Sequence, residues 1–113
     1  MVHIITHSTT IDFEIMGWHK LWSLTSKITI PKEKIIKAYQ DELEITFWKG
    51  LRMPGTEIPG LLAAGTFYKN GRNFWDVSNK KNAIVITLDN HYYKKLIIEV
   101  SNPAQMLQLL NDL

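Results

Sequence analysis

Arg52, Lys69, Arg72 and Asp76 fall within the middle of the sequence, interleaved with Trp48, Phe74 and Trp75. Two readings of this constellation stand side by side. In one, Arg52 hydrogen-bonds loop carbonyls or pairs with Asp76, because a segment rich in proline and glycine needs partners for its unpaired main-chain groups. In the other, Arg52, Lys69, Arg72, Trp75 and Asp76 form a contact surface for a protein or ligand, since binding groups accumulate on loops carried by a rigid scaffold.

The remaining reactive side chains point to no catalysis. His3 and His7 have a spacing that would suit a metal on a helix, but in a strand the same spacing puts them about 13 Å apart. Without a nearby Glu or Cys ligand, and with His19 and His91 apart from them, no metal site is expected. Neither a nucleophile elbow, nor a phosphate loop, nor a His-Glu-x-x-His segment is present, and no catalytic residue or cofactor is assigned. Asp41, Glu42 and Glu44 read as a solvated face. Lys80, Lys81, Lys94 and Lys95 lie at two strand ends, as solvated turns or as a weak basic patch.

The elements that must position these groups are mostly strands. Residues 10–16 alternate, with Ile11, Phe13 and Ile15 opposite Thr10, Asp12 and Glu14, as a strand with one buried face requires. Val2, Ile4 and Thr6 extend that strand backwards, bent at residues 7–9. Trp18, Leu21 and Trp22 form a helical turn that buries its indoles. Residues 27–30 and 35–39 are two short strands joined at Pro31. Residues 41–49 satisfy both alternation and helical spacing, and the strand is the reading adopted.

Two Pro-Gly pairs, Pro54-Gly55 and Pro59-Gly60, make residues 50–60 an irregular double-turn loop. Strands follow at about residues 61–68, 73–78, 83–89 and 96–100, the first two joined as a hairpin by Asn70-Gly71. Asn102-Pro103 then supplies a capping residue and a proline at the first helical position. Met106, Leu107, Leu110 and Leu113 recur at three to four residues and give one amphipathic helix. It closes the open end of a small barrel, or the gap between two sheets.

Composition bounds what such a chain can do. Its 113 residues are one domain, residues 1–113, able to bury roughly two thirds of the unfolded surface. Without cysteine, disulfides and thiolate metal sites are excluded. The net charge of +2 is too small to argue for nucleic acid as a partner. No leader-like or membrane-spanning apolar run is seen, so a cytoplasmic protein is expected.

The segment GLRMPGTEIPGLLAAGTFYKNGRNFWDV, continued by NAIVITLDNHYYKKLIIEVSNP, resembles uncharacterised bacterial proteins described as pleckstrin-homology-like domains. The resemblance is carried by Gly50-Leu51-Arg52, Pro54-Gly55-Thr56, Ile58-Pro59-Gly60, Gly65-Thr66, Phe74-Trp75-Asp76 and the segments 84–88 and 96–100. Trp18, Leu21, Trp22 and Leu24, followed by Ile28-Thr29-Ile30-Pro31, add to it. It implies a mainly β fold, a split barrel of about seven antiparallel strands capped by one α-helix. It also implies a non-enzymatic module that binds proteins or peptides or associates with itself. Free strand edges invite addition of a second copy or an extended peptide. The lipid-binding members carry clustered cations in the stretch matching residues 17–27, where this chain has only His19, Lys20 and Lys27. A membrane-surface adaptor using Trp18 or Trp22 with Lys20 is the alternative, followed by a small-ligand carrier or enzyme.

Overall fold

The structure, a computed structural model, describes residues 2–16, 27–41, 51–58, 62–68, 71–77 and 80–113. The expected helical turn around Trp18 and Trp22, nearly all of the ambiguous segment 41–49, the Pro59-Gly60 pair and Lys69 lie outside the described residues.

Alternation in the N-terminal segment produces β2 (Thr10–Ile15), with Ile11, Phe13 and Ile15 buried and the residues between them half-exposed. Val2–Thr6 does not extend that strand but forms one of its own, β1, antiparallel to β2 with Val2 opposite Ile15 and Thr6 opposite Ile11. The reversal is short. The His7 amide donates to the Thr10 carbonyl at 2.8 Å, closing a turn over the polar residues His7, Ser8 and Thr9. On the other side of β2 lies β3 (Lys27–Pro31), which completes a three-stranded sheet in the order β1-β2-β3.

Pro31 ends β3, and a single 3-10 turn over Lys32–Lys34 leads into β4 (Ile35–Tyr39). The two strands flanking Pro31 are present as expected, yet they belong to different sheets. β4 is the first strand of a six-stranded sheet that also holds β5 (Leu51–Ile58), β6 (Leu62–Tyr68), β7 (Arg72–Val77), β8 (Ala83–Leu88) and β9 (Lys95–Glu99). Its order is β4-β8-β9-β7-β6-β5. β6 and β7 form the expected hairpin, with Tyr68 opposite Arg72 and Gly71 at φ 121°, a conformation that glycine adopts without steric cost. β8 and β9 form a second hairpin, and β9 inserts between β8 and β7. There it runs parallel to β7, with Phe74 opposite Leu96 and Asp76 opposite Ile98. The described residues thus hold nine strands and one parallel pair, in two sheets that share no strand and do not close into a barrel.

The expected double-turn loop is corrected by β5, which runs straight through Pro54-Gly55. Between the pairs Arg52–Phe67 and Gly55–Gly65, Met53 and Pro54 face the single residue Thr66, so the extra residue is absorbed as a β-bulge. Proline is tolerated because β5 is the last strand of its sheet, where an outward position needs no amide.

Both faces of the larger sheet are buried at its centre. One face carries Phe74, Ile84, Ile86, Leu96 and Ile98 and shares a core with Ile11, Phe13, Ile15, Ile28 and Ile30 of the smaller sheet. The other carries Trp75, Val77, Val85 and Ile97. That double burial accounts for the near-continuous apolar runs AIVITL and KLIIE, which a strand with one wet face does not need.

The helix, α1 (Pro103–Asn111), begins as its sequence dictates. The Asn102 side chain accepts from the Gln105 amide and its own amide group donates to the Gln105 side chain, both at 3.2 Å. Leu110 is buried in the core shared by the two sheets, with Met106 and Leu107 packed against it. Leu113, expected in the same buried stripe, lies beyond the helix end and is 50% exposed. Among the described residues no helix is long and apolar enough to cross a membrane.

Candidate functional site

The fold separates the residues that the sequence groups together. Trp75 and Asp76 alternate along β7, each on its own face of the sheet, and are 1% and 0% exposed. Neither offers a surface for a partner. Arg52 stands in the row of Phe67 and Asn73, three residues along β7 from Asp76, a main-chain offset of about 10 Å along the strands. The lysine pairs are split as well. Lys81 precedes Ala83, which faces Glu99, whereas Lys95 faces Thr87 at the opposite end of the β8–β9 pair.

Arg72 is the member of the group that reaches a built corner. Its guanidinium carbon lies 4.3 Å from the centroid of the Tyr92 ring, a cation–aromatic contact at the base of β7. Tyr92 meets Tyr93 edge to face at 4.9 Å, and Tyr93 in turn meets Phe74 at 5.8 Å, which anchors the group to the core. The hairpin between β8 and β9 supplies the frame. Asn90 adopts φ 51°, the Lys34 ammonium donates to the Asn90 carbonyl at 2.8 Å, and the Lys94 amide donates to the Arg72 carbonyl at 2.7 Å. Together these bonds fasten the turn to β7 and to the segment before β4.

His91 sits in this corner with its ring stacked at 6.2 Å on Tyr93, and its Nδ1 accepts the Tyr93 amide at 3.1 Å. Partial burial, and then the charge of Lys34, hold its imidazole below the ordinary histidine value. A shallow depression of about 500 Å³ opens here, lined in part by Asp89, His91, Tyr92 and Lys94. Tyr92 is 59% exposed although its ring is held on two sides. Sequence reasoning grouped the cations with Trp48, Phe74 and Trp75 and missed Tyr92, Tyr93, His91 and Lys34. The available signal was the turn Asn90-His91 followed by two tyrosines and two lysines, a turn whose aromatics are too large to be spacers.

A second polar group lies on the smaller sheet. Asp12 accepts from the Thr29 hydroxyl at 2.7 Å on one oxygen and contacts His7 Nε2 at 2.9 Å on the other. Those two hydrogen bonds, Thr29 first, hold its carboxyl below the ordinary range. The hydroxyl gives its hydrogen to the carboxylate, and the histidine reaches the carboxylate too, so no nucleophile–base relay is formed. The group clamps β2 to β3 and to the β1–β2 turn.

Among the described residues, the unjoined sheets leave β1, β3, β4 and β5 as outer strands. Beside β1 runs a groove of about 190 Å³, walled by successive residues from Val2 to Ile5 on one side and by Val100, Ser101 and Met106 on the other. Because β2 occupies the other flank of β1, consecutive residues can line a groove only along the free edge. Ile5, 40% exposed, stands at that edge.

No family model, curated protein or solved structure matches this chain.

Proposed function

We propose that this chain is a non-enzymatic binding and self-association module that works by strand addition, with the open edge of β1 as its binding surface. The groove along that edge carries the reading. An extended segment laid there would pair with the main-chain groups of β1 that face away from β2, while the half-buried Met106 offers apolar contact for its side chains. Ile5 adds apolar surface where a solitary edge strand would ordinarily carry charge or proline. The occupant is a second copy of the chain, and an extended peptide of another protein is the alternative occupant of the same edge.

The finer fold reading belongs with this one. Two sheets packed on a common core with a C-terminal helix support a pleckstrin-homology-like domain, and the parallel β7–β9 pair departs from an all-antiparallel barrel. A second mode of binding is favoured by Tyr92, whose exposed ring is pre-positioned by Arg72 and shares its depression with Lys94. That corner suits an acidic protein surface, since aromatic and arginine side chains held in place lose little entropy on contact. The membrane-adaptor alternative rests on Trp18, Lys20 and Trp22, which lie outside the described residues.

The test is light scattering across the size-exclusion peak, for the unaltered chain and for Ile5→Lys. A mass several times that of one chain, reduced to one chain by Ile5→Lys at an unchanged melting temperature, is the expected result. A multimer that ignores Ile5→Lys would remove β1 as the interface. A monomer that binds no extended peptide would remove strand addition altogether.

A further inference from the structure

A second strand edge lies at the C-terminal end of α1, and this one is shut. Among the described residues β4 is an outer strand of the six-stranded sheet, yet the main chain of Ala38 in its middle has found a partner. The Ala38 amide donates to the Asn111 side-chain oxygen at 2.9 Å, and the Asn111 side-chain amide donates to the Ala38 carbonyl at 2.9 Å. The donor and the acceptor of one side chain thus make the two bonds that a residue of a neighbouring antiparallel strand would make. Since both Ala38 groups go to Asn111, they point away from β8, and the Ala38–Ile86 pair across the ladder is one of the non-bonded pairs.

Around this clasp the strand carries features of both kinds. The register slips at Ile36, a bulge that blunts the edge. Ile36 itself is 61% exposed, the largest exposure among the large apolar side chains described. Asn111 is the last residue of α1, where helices fray first, and Asp112 beyond it is held by one main-chain bond to Gln108. Leu110, one residue earlier, is held in the core, so the clasp rests on the Asn111 side chain at the boundary between the anchored helix and its free end.

We propose that the β4 edge is a latent strand-pairing surface whose partner is the β4 edge of a second copy, and that Asn111 is the latch that keeps it closed. The symmetry of the edge selects the occupant. An antiparallel pair centred on Ala38 puts Ala38 opposite its own copy as a bonded pair, the isologous arrangement a two-fold axis requires. In that register Lys37 of each copy faces Tyr39 of the other, repeating a cation–aromatic contact that the strand already makes within itself at 5.2 Å. Ile36 is covered at the same time. This inference concerns a different edge from the β1 reading and does not depend on it.

The test compares full-length Asn111→Ala with the unaltered chain at equal loading, so that any mass contributed by β1 is common to both. Light scattering is read together with hydrogen exchange at the Ala38 amide. Opening the latch should raise the mass at least twofold relative to the unaltered chain, and adding Ile36→Lys to Asn111→Ala should restore it. In the double variant the Ala38 amide should exchange at least tenfold faster than in the unaltered chain. Asn111→Asp, which keeps the acceptor for the Ala38 amide and loses the donor to its carbonyl, replaces Asn111→Ala should the latter fail to fold. An unchanged mass with a faster-exchanging Ala38 amide would overturn the proposal, and so would a raised mass insensitive to Ile36→Lys. Slow Ala38 exchange in Asn111→Ala at an unchanged mass would show that Asn111 is not the latch.

Discussion

Replacing Trp75 by alanine separates the two roles that its sequence position allows. The indole is 1% exposed, packs with Val77, Val85 and Ile97, and faces Gly65 across the ladder, where no side chain competes for the space. A buried indole removes about 150–250 Å² from water, which at about 25 cal/mol per Å² is worth about 4–6 kcal/mol as an upper bound. Measured tryptophan truncations in cores cost about 3–5 kcal/mol, so about 4 kcal/mol is the working figure. A domain of this size has a total stability of about 5–15 kcal/mol, and the loss should lower the melting temperature by about 15 °C. Thermal melts followed by circular dichroism, with a urea titration for the free energy, read both quantities. Ile36→Ala is the control, since an apolar residue 61% exposed should change stability by no more than about 0.5 kcal/mol. Should Trp75→Ala melt within about 3 °C of the unaltered chain, the second core layer of the large sheet would be wrong and a contact role for Trp75 would return.

The helix gives a paired prediction: Leu110→Ala should cost about 2–5 kcal/mol because Leu110 is buried between the sheets, whereas Leu113→Ala should be neutral within about 0.5 kcal/mol. Two groups set the pH dependence. Asp12 has a lowered folded value, so its contribution is complete above the unfolded value of about 3.9 and is lost as pH falls through the folded one; Thr29→Val should flatten that acid limb in a urea-midpoint series. His91 has a lowered folded value as well, so the unfolded chain takes up its proton first and stability falls as pH drops below about 6.5; His91→Asn should remove that slope between pH 7 and 5.

Local chemistry made some of this fold legible and left its assembly hidden. Asn70-Gly71 places a hairpin because glycine meets the φ of 121° that the turn needs, and Asn102-Pro103 starts a helix because each residue satisfies a terminal constraint on its own. These signals act over a few residues. The insertion of β9 between β7 and β8 depends on pairing between distant segments, and alternation cannot say which strand lies beside which. The passage of β5 through Pro54-Gly55 was obscured for a related reason, since proline is admissible in a strand only at an edge and edges are a property of the finished sheet. The same limit explains the candidate site. Arg72 and Tyr92 are twenty residues apart in the chain and meet only because the β8–β9 turn is fastened to the start of β7. Asn111 and Ala38 are 73 residues apart, and an asparagine ending a helix reads as a terminator long before it reads as a strand mimic.

Strand addition at β1 is tested most directly by amide hydrogen exchange across Val2–Thr6, compared between a dilute and a concentrated solution of the unaltered chain. The account predicts that the amides of β1 facing away from β2 exchange freely when dilute and become protected on concentration, while the β2 amides remain protected in both. Fast exchange of those outward amides at both concentrations, in a sample that is nonetheless multimeric, would contradict it.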